Sequence, residues 1–239
     1  MTSSSSSFEA FFEGWLVRQE HFLDELQSAA QRDSDDARDD DLRDLVSRTL
    51  LHYQQYYEEK SRIAQRDVFL LFSPTWFSSL ERALLWIAGF KPGLAFRLVS
   101  DSVPDLSADQ RLRMTRLMEE TRLEERALND KLAKIHESVA APPLIDLTRH
   151  HARFVDGDIA AVAEAEEAAA TTALKSALEG VVANANLLRT TLATKLVDIL
   201  SATQAVRFLV AVAQFQLKIR TWGLARDAQK QHQSRRRCS

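Results

Sequence analysis

Apolar residues recur every three or four positions along most of this chain, and that period predicts helices rather than strands. Phe8, Phe12, Trp15, Gln19, Phe22, Leu26 and Ala29 follow a 4-3-4-3 spacing, one stripe of an amphipathic helix over about 8–31. Leu42, Leu45, Thr49, Tyr53, Tyr56, Lys60 and Ile63 give a second helix over about 41–66. Val68 to Phe72 is a short apolar run with no partner strand in sight, so it reads as a helical or irregular approach to the core. Met114, Met118, Leu128, Leu132, Ile135 and Val139 mark a long helix over about 108–139, with Thr121 and Glu125 as polar interruptions. That stripe suits packing within a bundle, with a short homodimer seam as the alternative. Leu174, Leu178, Val181, Ala185, Leu188, Leu192, Leu196 and Ile199 mark another over about 158–200, and a last helix follows over about 202–231.

Local signals punctuate these stripes. Ser6/Glu9, Ser78/Glu81, Ser107/Gln110 and Ser201/Gln204 each have the spacing of a capping box, in which two side chains satisfy orphan donors at a helix entry. The stretch Ser73–Val99 is the densest. Ser73-Pro74 reads as a helix start, and Leu80, Leu84 and Ile87 share a face, with Trp76 and Trp86 adding bulk. Gly89 stands where a left-handed residue would end that helix, and Pro92 opens the next one, which carries Phe96. The expected architecture is all-α: a single helical-bundle domain of six to eight helices over 8–231. Residues 1–7 are a disordered start, 32–41 an Asp-rich linker, 140–157 a loop, and 232–239 a mobile basic tail.

Composition narrows the class. In 239 residues there are only 6 Gly and 5 Pro, which favours long helices over tight turns. The net charge is −3, but residues 32–41 alone carry six Asp and two Arg, so no global basic field exists to drive nucleic-acid binding. A lone Cys238 forbids an internal disulfide, the Ser-rich start lacks the features of a secretory signal, and no apolar run is long enough for a membrane span. Nucleus and/or cytoplasm is the expected location.

The search for chemistry returns little. There is no phosphate-binding glycine loop, nucleophile elbow or HExxH pair. Asp33, Asp35 and Asp36 lack the glycine and terminal glutamate of a calcium loop, and adjacent His150 and His151 would diverge on a helix. Glu119/Glu120 and Glu124/Glu125 read as a solvated face. No catalytic, metal or cofactor residue is assigned. Near the C-terminus Lys218, Arg220, Arg226 and Lys230 surround Trp222, ahead of Arg235, Arg236 and Arg237; a helix end complementing its dipole is the plain reading, and calmodulin, an acidic partner or nucleic acid the others.

The central stretch resembles the signature of the plant Delay of Germination domain, which also forms the C-terminal half of TGA-type basic-leucine-zipper transcription factors. Leu80-Glu81-Arg82, Trp86, Gly89-Phe90, Lys91-Pro92 and Phe96-Arg97-Leu98 occupy the signature places, with Ala88 replacing a frequent Gly. Phe12, Trp15 and Gln19 match the family's first helix, and Asp41-Leu42-Arg43, His52-Tyr53, Asp105-Leu106-Ser107, Asn186-Leu187-Leu188-Arg189 and Leu200 to Gln204 extend the likeness. The resemblance implies an all-helical plant regulatory protein without catalytic activity. It implies partners such as type 2C protein phosphatases, in seed dormancy, seed maturation and abscisic acid responses. Phe12, Trp15, Gln19 and Phe22 are the expected partner contacts, with Trp15 as a core residue the competing reading. The alternative is a transcription-regulatory module acting through TGA-type zipper partners; lacking the basic region and zipper, the chain is not expected to read DNA directly. A helical receptor for a small molecule or lipid is a further alternative. Haem, associated with the founding member through two His four apart, is not expected, because Gln216 and Arg220 hold those places.

Overall fold

A computed structural model describes residues 2–31, 39–139 and 157–237. The described residues form eight helices and no strand. They are α1 (Thr2–Gln31), α2 (Asp39–Asp67), α3 (Phe69–Phe72), α4 (Ser79–Ala83), α5 (Leu94–Ser102), α6 (Ala108–Val139), α7 (Gly157–Ile199) and α8 (Ala202–Arg237). The expected linker residues 32–38 and loop residues 140–156, with His150, His151 and Cys238, lie outside the described residues. No helix among those described is long and apolar enough to cross a membrane.

The helical period places the core. From α1, Phe8, Phe12, Trp15 and Leu26 are buried, as the stripe predicts, and Gln19 is fully buried among them. Phe8, Phe12 and Trp15 meet Ile63 and Val68 of the α2–α3 segment, Trp76, and Leu178, Val181 and Ala185 of α7, while Leu26 belongs to the cluster at the other end. Toward the other end of the bundle Leu42, Leu45, Val99, Leu192, Leu196, Val206 and Phe208 close a second cluster. α6 lies along α7, and α1 packs on both α2 and α8. The long stripe of α6 therefore faces its own bundle: Leu117, Thr121, Glu125 and Leu128 are buried, while Val139 is exposed.

Three of the four capping boxes form. Ser78 N donates to Glu81 Oε2 at 2.8 Å and Glu81 N to Ser78 Oγ at 3.3 Å. Ser107/Gln110 and Ser201/Gln204 repeat the reciprocal pattern. The last two also meet, since Gln110 Nε2 donates to Gln204 Oε1 at 2.7 Å, so the starts of α6 and α8 are locked together. The fourth differs. α1 begins at Thr2, not at residue 8, so Ser6 lies inside the helix rather than at its start. The serine run contains no breaker, and helix propagates through it. The C-terminal residues likewise continue α8 to Arg237, past the expected end at residue 231, because Gln, Lys and Arg are good helix formers and no Gly or Pro interrupts them after Gly223.

Ser73–Gly93 departs furthest from expectation. The helix there is only Ser79–Ala83, and Leu84 is exposed rather than aligned with Ile87. Trp86 to Gly89 forms a tight turn, closed by Trp86 N to Gly89 O at 2.6 Å and Gly89 N to Trp86 O at 3.2 Å. Ile87 and Ala88 hold the left-handed conformation, at φ 43° and 58°, while no glycine does. A β-branched residue at positive φ is strained and persists only where surrounding contacts impose it.

Candidate functional site

Those contacts come from Arg189 of α7. Its Nη2 donates to the carbonyls of Trp86 (2.6 Å) and Ile87 (3.0 Å), and its Nε to that of Phe90 (2.8 Å). The guanidinium also stands 5.4 Å from the Trp86 ring centroid. Gly89 is required beneath it for space, not for backbone freedom: a Cβ there would lie 2.9 Å from Arg189 Cζ. Trp86 Nε1 in turn donates to Asn129 Oδ1 of α6 at 2.8 Å. Glu125, which the sequence presents as a polar interruption, accepts from Gly93 N at 2.7 Å and pairs with Lys91 at 3.4 Å. The signature residues Trp86, Gly89, Phe90 and Pro92 thus form the connection that α6 and α7 grip. Glu81 is fixed separately, by its capping box and by Arg220.

Behind this connection lies a cavity of about 760 Å³. Its wall includes Tyr53, Tyr56 and Tyr57, every tyrosine of the protein, together with Leu50, Phe208, Leu209 and Phe215. Lys60 and Arg189 stand at its polar corner, and both are buried, 2% and 8% exposed. Lys60 Nζ donates to Asn186 Oδ1 at 3.1 Å, and Arg189 Nη1 to the same oxygen at 3.0 Å. Asn186 Nδ2 is buried beside them without a hydrogen-bond partner. Neither cation makes an ion pair with a carboxylate among the described residues. Burial, and secondarily the Arg189 charge, holds the Lys60 ammonium well below its ordinary pKa. Desolvation likewise raises the Tyr53, Tyr56 and Tyr57 phenols, which stay protonated as neutral hydrogen-bonding groups.

The residues expected to meet a partner point inward. Trp15 is completely buried, stacked on His52 at 4.5 Å and donating Nε1–H to the His52 carbonyl at 3.0 Å. Phe12 and Gln19 are buried beside it, Gln19 donating to the Tyr53 hydroxyl, and Phe22 is half-buried against His52. An amphipathic stripe cannot say which partner covers it, and here α2 does. The surface instead offers Trp222, 61% exposed, on the face of α8 shared by Lys218 and Arg226. Arg235 and Arg236 are exposed further along the same helix. Trp222 was visible to the sequence only as part of a basic segment, because nothing local told that its stretch projects from the bundle.

The two positions associated with haem also have other engagements. Arg220 pairs with Glu13 at 2.6 Å and donates to the Trp76 carbonyl at 3.2 Å. Gln216 Oε1 accepts from the Tyr53 hydroxyl at 3.4 Å. Neither offers an imidazole or thiolate to iron, so the residues do not fit that group.

Comparison with known proteins decides the family. A family model described as "DOG1: Seed dormancy control" matches residues 22–101. "Protein RESPONSE TO ABA AND SALT 1" of Arabidopsis thaliana is 36% identical over 225 residues, covering 92% of this chain and 96% of that protein. The chain belongs to the DOG1 family. "Protein ZW2" of the same plant is 35% identical over 229 residues, covering 94% and 99%. "Transcription factor TGA7", also from that plant, is 30% identical over 215 residues, which are 90% of this chain but 55% of that protein. The DOG1-family chain is therefore similar throughout to DOG1-like proteins, and to roughly half of a TGA factor. At family level these relatives are regulators, not enzymes.

Proposed function

We propose that this DOG1-family protein is a non-enzymatic regulator that acts by binding a type 2C protein phosphatase, in the nucleus or cytoplasm, in seed dormancy or maturation and in responses to abscisic acid. Family membership supports the regulatory class, and the name of the relative called a response to ABA and salt supports the physiological setting. The observation that carries the contact surface is Trp222. A large aromatic ring is left in water between two cations on a projecting helix, the residue types that dominate interface hot spots. Biolayer interferometry against a panel of purified phosphatase catalytic domains tests the reading. Binding that Trp222→Ala weakens about tenfold or more, with unchanged thermal melting, supports it. No binding to any member overturns it.

A second reading places the protein in transcription, paired with a TGA-type zipper factor; the shared length with such factors favours it. Capture of a zipper factor by the purified chain, without a phosphatase, would select it. The cavity favours an additional role as a receptor for a small apolar molecule, since its volume and mixed aromatic and aliphatic wall suit one.

A further inference from the structure

A second hollow, of about 380 Å³, opens on the α6 side of the α4–α5 connection. Met118, Arg122, Glu125 and Asn129 line it from α6 at a 4-3-4 spacing, one helix face, and Arg126 follows Arg122 by one turn. Gly93 and Phe96 line it from α5 and its entry, while Leu94, Ala95 and Leu98 of the same segment line the larger cavity. Lys91 adds a third cation to the rim, so three cations and one carboxylate surround the hollow, a net charge of +2. Glu125 is already engaged. Its Oε1 accepts from Gly93 N at 2.7 Å, its Oε2 pairs with Lys91 at 3.4 Å, and Arg189 attracts it from α7. Arg122 and Arg126 are exposed and form no ion pair with a described residue. The other carboxylates close by, Glu119, Glu124 and Asp130 of α6 and Asp101 of α5, line no part of the hollow.

Two guanidiniums one helical turn apart, with an ammonium on the same rim, offer more donors than a carboxylate accepts. A phosphate monoester brings three peripheral oxygens and a charge of about −1.5 to −2 near neutral pH, which matches the site. Phe96 and Met118 supply an apolar surface for the carbons that carry the phosphate. Leu123 lies between the two arginines in sequence and is 63% exposed, so a chain bound here also meets an apolar side chain beside the charge. We infer that the hollow binds the phosphorylated side chain of a partner protein, with the phosphate held by Arg122, Arg126 and Lys91 and a neighbouring apolar residue of the partner on Leu123. This surface is separate from the exposed face of α8 and from the larger cavity, and rests on neither.

The test uses the full chain and pools of fluorescent heptapeptides, degenerate except for a central phosphoserine, serine or glutamate. Anisotropy gives the affinity of each pool, with inorganic phosphate and phosphatidic acid vesicles as competitors. The inference expects the phosphoserine pool to bind about tenfold tighter than the serine pool and about fivefold tighter than the glutamate pool. Replacing both arginines, Arg122→Gln with Arg126→Gln, should abolish that preference at unchanged thermal melting, while Arg113→Gln, exposed elsewhere on α6, should keep it. Should the double variant fail to fold, Arg122→Gln alone should cut the preference about threefold. The chain has 3 Met, so the methyl resonance of Met118 is resolvable by labelling, and it should shift when the phosphoserine pool is added. No preference for phosphoserine, a preference that survives loss of the arginines, or one without a Met118 shift would overturn the site. Displacement of the peptides by inorganic phosphate or by the vesicles at lower concentrations than the peptides themselves would overturn the protein partner, in favour of a free phosphate or a lipid headgroup.

Discussion

Gly89 lies directly beneath the guanidinium of Arg189, a hundred residues later in the chain, and the close approach of the two fixes the connection between α4 and α5. Because Gly89 does not hold a positive φ, alanine there meets no backbone strain. The obstacle is Arg189 alone. Gly89→Ala should therefore cost about 1–3 kcal/mol by overpacking. In an Arg189→Ala background, itself destabilised by about 3 kcal/mol through loss of the bonds that Arg189 donates to the Trp86, Ile87 and Phe90 carbonyls, the same change should cost less than about half as much. Urea unfolding of the four proteins in the cycle checks it; equal costs in both backgrounds would separate the two residues.

Two glycines in long helices should respond oppositely to alanine. Gly180 of α7 is exposed, and nothing lies within 4 Å of a Cβ built there, so Gly180→Ala should stabilise by about 0.5–1 kcal/mol through helix propensity. Gly223 of α8 faces the capping box, where an added Cβ would come 2.7 Å from Ser78 Cβ and closer still to its hydroxyl. Gly223→Ala should destabilise despite the same propensity gain, and it should also disturb the bond that Ser79 N donates to Asp227 at 2.8 Å. Thermal melting of the two variants should move in opposite directions.

His52 should make the fold acid-sensitive. Its ring is stacked on Trp15 and touches a tilted Phe22, and burial, aided by the Arg18 charge, lowers its pKa from 6.5 to about 4. The folded state therefore resists protonation while the unfolded chain accepts it. Stability should begin to fall as pH drops through about 6.5, and this contribution should level off near 4, with a slope of at most about 1 kcal/mol per pH unit. Comparing urea midpoints of wild type and His52→Phe between pH 7 and 5 isolates the contribution. Parallel curves would remove His52 as the source.

Trp15→Ala should lose about 3–5 kcal/mol, because it empties the centre of the α1–α2 core and removes the bond that Trp15 Nε1–H donates to the His52 carbonyl. Reduced partner binding by that variant would therefore report unfolding, and circular dichroism should show the loss before any binding assay does.

Much of the bundle is legible in the chain, because the helical period is a local property. The stripes of α1, α2 and α7 appear with the right residues inward, including polar Thr49 and Lys60 of α2. Three capping boxes also appear, each needing only residues three apart. The α4–α5 connection is not legible, because its turn is shaped by Arg189 from α7 against the preference of Ile87 for negative φ. The candidate site is half legible for the same reason. Arg189 appears in the sequence only within a family resemblance, and Lys60 only as a stripe position; their meeting on Asn186 is a tertiary fact. The direction of the α1 stripe is ambiguous in principle, since apolar spacing fits a core and an interface equally well.

The proposal that this protein regulates by contact through the exposed face of α8 is tested most directly by hydrogen exchange on its complex with a type 2C phosphatase. Protection should concentrate at residues 218–230 around Trp222, with the buried stripe at Phe12, Trp15 and Gln19 unchanged. Protection confined to other surfaces, with 218–230 exchanging as in the free protein, would contradict it.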